Sequence, residues 1–129
     1  MQTEITELLD HANFAQLASV NADGSPHVDT VRIAREGELI LVATTLRTRK
    51  AINLLANPAA YMVVTRRDDP YEQAQLKLHF IGCVADEGLA ICDRIAHKYT
   101  GRPFPQRQHR GRVALRLRID KARYHRARV

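Results

Sequence analysis

The sequence lacks tryptophan, and aromatic residues make up only 5% of its 129 positions. Proteins that bind single-stranded nucleic acid by base stacking combine aromatic with basic side chains. We therefore expect no direct nucleic-acid function, despite a formal net charge of +6. No apolar run approaches the roughly 18 residues that a membrane span needs, and the acidic first ten residues do not resemble a secretory signal. These absences predict a cytoplasmic protein without a membrane partner.

Motifs for self-contained catalysis are also missing. The two cysteines, Cys83 and Cys92, form no CxxC pair and have no histidine at zinc-finger spacing, so we expect small buried thiols. The glycines are too scattered for a Walker A or GxGxxG loop, and neither HExxH nor a serine nucleophile elbow is present. If the chain is an enzyme, we expect a bound cofactor to supply the reactivity.

The periodicity that is present predicts one mainly β domain over residues 1–129. Apolar alternation is clearest in the last third, and short turns separate strands that follow one another in the chain. This pattern is typical of an antiparallel barrel of about six strands with peripheral helices. The predicted strands are 14–20, 27–35, 39–44, 60–65, 76–85 and 113–119, with a further short one over 123–129, and the predicted helices are one capped by Thr3, then 49–56 and 88–99.

The step from the third strand to the second helix is the most informative segment. Thr48 is a suitable N-cap, and Arg49 and Lys50 follow it in the first helical turn. Cations at that end oppose the helix dipole, which favours anions there. One interpretation is that they help the free amides of the first turn to hold an anion. The alternative is a basic turn that only contacts solvent.

The order of several segments resembles the pyridoxamine 5′-phosphate oxidase-like split-barrel superfamily, and most closely its flavin/deazaflavin oxidoreductase B branch. The likeness covers nearly the whole chain. It implies a six-stranded antiparallel split β-barrel that forms a homodimer, with two cofactor sites at the interface. The segments that carry it are 14–26, Thr44, 48–50, 53–54, 57–58, 69–71, Gly82 and 95–105.

The resemblance also implies which residues bind the cofactor. The Ser/Thr-Arg-Lys element of the superfamily binds the cofactor phosphate, and the second predicted strand lies along the flavin or deazaflavin ring. A polar residue of a later strand contacts that ring in the flavin oxidases. The implied cofactor-binding residues are Thr30, Val31 and Arg32 along the ring, Thr44, Thr48, Arg49 and Lys50 around the phosphate, and Lys77 near the ring. Arg47, with loop cations such as Arg102 or Arg107, would also suit a cofactor with a long anionic tail.

The function implied by this branch is hydride transfer from the reduced deazaflavin coenzyme F-420 to an unsaturated organic small molecule. Two alternatives remain open from the sequence. One is an FMN-dependent oxidoreductase, because phosphate binding has the same sequence pattern for both cofactors. The other is a non-catalytic protein that binds flavin, deazaflavin or tetrapyrrole.

Overall fold

The computed structural model describes residues 1–128, which form seven antiparallel strands in one sheet and three helices. None of these helices is long and apolar enough to cross a bilayer. The elements are α1 (Thr3–Asp10), β1 (Ala15–Val20), β2 (Pro26–Val31), β3 (Ala34–Glu36), β4 (Leu39–Thr45), α2 (Arg49–Ala56), β5 (Ala59–Arg66), β6 (Asp69–Ala85), α3 (Ala90–Thr100) and β7 (Arg112–Arg126).

The sheet rolls around a single main core. Its strand order is β2-β1-β5-β6-β7-β4-β3, so β2 and β4 lie near opposite edges. Nevertheless Val31 at the end of β2 and Val42 of β4 belong to the same buried cluster. Leu8 of α1 and Leu54 of α2 join that cluster as well, and thus cover the open parts of the barrel. The predicted antiparallel barrel with peripheral helices is confirmed.

The apolar patterns of β7 and β4 have different causes. In β7, Leu115 and Leu117 are buried in the core while Arg116 and Arg118 point away from it, as the alternation predicts. In β4 the apolar run is nearly continuous because both faces are covered. Val42 packs into the main core, and Leu41 packs with Ile95 of α3 in a second cluster.

The prediction of a single strand over 27–35 is wrong, and the difference accounts for the seventh strand. The backbone leaves the ladder at Arg32 and Ile33, between β2 and β3. The Ile33 amide donates to the Tyr99 hydroxyl (3.1 Å), and the Ile33 carbonyl accepts from Lys98 Nζ (2.9 Å). Because these side chains of α3 satisfy the backbone groups, the interruption costs no unpaired buried amide.

Other predicted bounds also need correction. Strand β6 begins at Asp69, before the predicted start at residue 76, and β7 runs unbroken to Arg126 with a register shift at Asp120. Val129 of the predicted last strand lies outside the described residues. Helix α3 spans Ala90–Thr100, and Gln2 rather than Thr3 occupies the N-cap of α1. Gly82 lies at a β-bulge of β6, where the register shifts and its φ is 123°.

Lys98 makes the stability of the fold depend on pH. Its Nζ donates to the carbonyls of Leu9 and Ile33, and burial lowers its pKa from 10.5 to about 8. Above that lowered pKa the folded chain has released a proton that the unfolded chain still holds, so the free energy of unfolding rises with pH. Burial raises the pKa values of Cys92 and Tyr99, which oppose this rise from about pH 9 upward.

We therefore expect the free energy of unfolding to increase between about pH 8 and 9, and Lys98→Met to remove that increase. Urea unfolding across this pH range measures both slopes. Lys121→Met, which removes an exposed lysine, is the matched control and should keep the wild-type slope. Equal slopes in the wild type and Lys98→Met would contradict the assignment to Lys98.

Candidate functional site

Helix α2 begins with backbone amides that bond no protein acceptor. The first helical hydrogen bond runs from the Ile52 amide to the Thr48 carbonyl (3.0 Å). Within residues 1–128, the amides of Arg49, Lys50 and Ala51 have neither a backbone nor a side-chain partner. Three such amides at the positive end of a helix dipole form an anion-binding arrangement.

Thr48 occupies the predicted N-cap position, but its side chain does not cap the helix. Its hydroxyl donates to the Thr45 carbonyl (3.1 Å). The Thr44 hydroxyl lies 2.9 Å from the Thr48 hydroxyl and donates to it, because the Thr48 proton is already used. Thr44 itself is buried beneath the turn. The prediction of an N-cap hydrogen bond is wrong, because the Thr45 carbonyl competes for the Thr48 hydroxyl. The consequence is that the helical amides stay free.

Lys50 connects the start of α2 to β2. Its Nζ lies 3.4 Å from Asp29 Oδ2, and the other Asp29 oxygen lies 3.2 Å from His27 Nε2. The Lys50 side chain is only 16% exposed. This pair holds the Lys50 side chain between the first turn of α2 and β2, where Lys50 lines a cleft.

This cleft lies between the barrel edge and α3 and has a volume of about 220 Å³. It brings together four of the predicted site residues: Thr30, Val31, Arg32 and Lys50. No carboxylate of the described chain lines it, so its three charged lining residues are all cations. The remaining lining residues are Val42, Ala43, Cys92, Ile95, Ala96, Phe104 and Arg112.

The other predicted site residues lie outside the cleft lining. Arg47 is exposed on the turn before α2, and Arg49 borders a separate shallow depression beside the β1–β2 turn. Lys77 is exposed on the outer face of β6, where its neighbours across the strands are Tyr61 and Lys121. Thr44 and Thr48 bond to each other through their hydroxyls at the turn before α2. The structure therefore does not bring Lys77 and Lys50 into one pocket of a single chain.

Arg32 is the first residue after β2, and its side chain is held by a contact with Tyr99. The Arg32 guanidinium carbon lies 5.7 Å from the centre of the Tyr99 ring. The Tyr99 hydroxyl donates to the Asn13 carbonyl (2.7 Å) and accepts from the Ile33 amide. Such a cation over an aromatic face is held electrostatically, which keeps Arg32 at the mouth of the cleft.

Seven lining residues were not assigned from the sequence, and three of them, Cys92, Phe104 and Arg112, contact one another. Arg112 Nε donates to Cys92 Sγ (3.4 Å), and its guanidinium carbon lies 5.0 Å from the centre of the Phe104 ring. No local sequence pattern predicts these contacts, because Phe104 lies in a loop without periodicity. Arg107, suggested from the sequence for an anionic tail, instead forms an ion pair with Asp93.

Comparisons with known proteins agree with this architecture. The sequence profile of the pyridoxamine 5′-phosphate oxidase family matches residues 1–126. A comparison with curated proteins gives no match. A solved structure described as an F420 reductase is 26% identical, covers 95% of this chain and 98% of its own, and superposes with a TM-score of 0.85.

Two more distant structures share the fold. The conserved hypothetical protein Rv2991 of Mycobacterium tuberculosis is 19% identical over 98% of this chain and 84% of its own, with a TM-score of 0.78. A FAD-binding protein of Mesorhizobium loti is 16% identical over 99% and 96%, with a TM-score of 0.70. The family profile covers nearly the whole chain, and the chain therefore belongs to the pyridoxamine 5′-phosphate oxidase family.

Proposed function

We propose that this chain is an oxidoreductase that binds the deazaflavin coenzyme F-420 in the cleft and reduces an unsaturated organic substrate. The observation that carries the proposal is the free-amide end of α2, with Lys50 beside it, at a cleft lined only by cations among its charged residues. This donor set fits a phosphate group, because both dipolar and ionic donors face it. The 26% identity to the protein described as an F420 reductase favours the deazaflavin over FMN.

Each part of the cleft has a separate task in this proposal. The α2 amides and Lys50 would hold the phosphate, and Thr30, Val31 and Arg32 would hold the ring. Ile95 of α3 supplies an apolar wall that excludes water. Bound in its reduced form, F-420 supplies the hydride. Arg32 is placed to stabilise negative charge that develops on a substrate carbonyl oxygen.

We further propose that the working unit is a homodimer. The cleft of one chain, about 220 Å³, is smaller than the roughly 300–1,000 Å³ of typical cofactor sites, so one chain supplies only part of the wall. The outer face of β2, β1 and β5 offers a surface for a second copy. Val28 and Tyr61 are 57% and 45% exposed there, on either side of Ala18 in one cross-strand row. Lys77 continues this row, and thus reaches a cofactor only across such an interface.

The test is a titration of the purified protein with F-420 and, separately, with FMN, followed by cofactor fluorescence. We expect F-420 to bind with a dissociation constant of about 1 μM and FMN more weakly, corresponding to about −8 kcal/mol for F-420. Two sites are expected per particle of twice the 14.6 kDa chain mass. Tighter binding of FMN, or of neither cofactor, overturns the deazaflavin assignment.

Catalysis is tested with reduced F-420 and a panel of enones, quinones and bilins, and with a reaction lacking protein as the control. Oxidation of the cofactor that depends on both protein and substrate supports the reductase. Tight F-420 binding without turnover of any substrate would support a role in cofactor binding alone.

A further inference from the structure

We propose that Arg112 is an additional anion-binding residue of the cleft, and that it contacts the same phosphate-type group as the start of α2. This inference rests on the proposed function. It adds a positively charged residue from β7 to a phosphate site that the sequence assigns to the end of β4 and to the turn and helix after it. Its chemical consequence is a preference for ligands that carry a phosphate over otherwise equal ligands that lack one.

The sheet register places Arg112 beside the anion-binding turn. Arg112 is the direct cross-strand partner of Thr45, the last residue of β4. The Thr45 carbonyl accepts the hydrogen bond from Thr48, so Thr45 is part of the turn that leads into α2. Paired residues of an antiparallel ladder lie about 4.5–5.5 Å apart, and an extended arginine side chain spans such a distance. Arg112 and Lys50 line the same cleft, so the guanidinium can reach a group that is bound beside Lys50.

The side chain is held in place before any ligand binds. Nε donates to Cys92 Sγ, and the guanidinium carbon lies over the Phe104 ring. The backbone is fixed as well, because the Arg112 carbonyl accepts from the Asp86 amide (2.9 Å). An arginine that is already ordered loses less conformational entropy when it binds an anion.

The charge of Arg112 has no partner within the described chain. Lys50 shares Asp29 with His27, whereas Arg112 contacts no carboxylate among residues 1–128, and its terminal nitrogens donate to no protein acceptor there. Six other arginines do form ion pairs with carboxylates: Arg35, Arg66, Arg94, Arg107, Arg118 and Arg126. A half-buried guanidinium with two free nitrogens suits bidentate binding of a phosphate or carboxylate.

The experiment compares ligands with and without the phosphate. FMN and riboflavin form one pair, and F-420 and its deazaflavin core without the phosphodiester tail form the other. For Arg112→Gln we expect roughly 10- to 100-fold weaker binding of the phosphorylated ligands. Binding of the ligands without phosphate should change less than about twofold, since they offer no anion. Arg112→Lys keeps the positive charge but loses the planar guanidinium that can bind a phosphate with two nitrogens. Its affinity for the phosphorylated ligands should lie between those of the wild type and Arg112→Gln.

Arg116→Gln is the matched control, because this arginine lies on the same strand but does not line the cleft. Thermal unfolding of each variant checks that the barrel is intact. Equal losses for phosphorylated and unphosphorylated ligands, or unchanged binding in both Arg112 variants, overturn the role of Arg112 while leaving the proposed function in place. Failure of the wild type to bind any phosphorylated ligand overturns both.

Discussion

Replacing Arg49 and Lys50 together by alanine is expected to weaken cofactor binding by about 2–4 kcal/mol, or roughly 30- to 1,000-fold. Most of this loss should come from Lys50, which lines the cleft with a side chain that is only 16% exposed. A hydrogen bond to a charged group contributes about 1.5–3 kcal/mol. Arg49 is exposed and borders another depression, so its contribution should resemble that of a surface ion pair, about 0.2–1 kcal/mol.

Because Lys50 and Arg49 should contribute unequally to cofactor binding, the two single variants are informative. Lys50→Ala also leaves the half-buried Asp29 carboxylate without its lysine partner, and its negative charge then repels the bound phosphate. We therefore expect Lys50→Ala to retain most of the effect of the double variant, and Arg49→Ala to retain little. Isothermal titration with F-420 measures all three.

A double variant of Arg67 and Arg110 is the charge-matched control, because both are exposed cations outside the cleft lining. It should bind nearly as tightly as the wild type at moderate salt, where distant surface charges are screened. If the control loses as much affinity as the double variant of Arg49 and Lys50, the effect comes from overall charge, and the start of α2 is not the phosphate site.

The sequence predicts the parts of this site that depend on neighbouring residues. The end of β4, the turn and the start of α2 follow one another in the chain, so the anion-binding arrangement is visible as a local pattern. The alternation in β7 is equally local, since it reflects one buried and one outer face. These elements position Lys50, and their order is what makes the family resemblance recognisable.

The sequence does not predict contacts that form only when distant segments meet. The break between β2 and β3 is made by Lys98 and Tyr99, which lie more than sixty positions further along the chain. Arg112 follows a loop without periodicity, and only the sheet register brings it beside Thr45. Lys77 shows a third limit. Its predicted contact with the ring depends on the homodimer that we propose, because Lys77 lies outside the cleft of its own chain.

One further residue, Asp86, links the stability of the fold to the site. It is a buried carboxylate, 4% exposed, whose two oxygens accept from the amides of Ile91 (3.0 Å) and Cys92 (2.8 Å). It thereby caps α3, although the formal N-cap is Leu89. Leu89 has a left-handed φ of 62°, which costs roughly 1–2 kcal/mol for a residue with a side chain. Asp86 offsets that cost and holds the helix whose Cys92 positions Arg112.

We expect Asp86→Ala to lower the free energy of unfolding by about 2–4 kcal/mol, because the buried Cys92 amide and the half-buried Ile91 amide lose their acceptor. Asp86→Asn can still accept at one oxygen and should lose about half as much. Urea unfolding measures both, with Glu87→Ala as the control, since that acid is adjacent but exposed. Asp86→Ala should also weaken binding of phosphorylated ligands through the loss of Cys92 placement. If Asp86→Ala and Glu87→Ala unfold at the same urea concentration, α3 does not depend on this cap, and the positioning of Arg112 must come from Phe104 and the strand register instead.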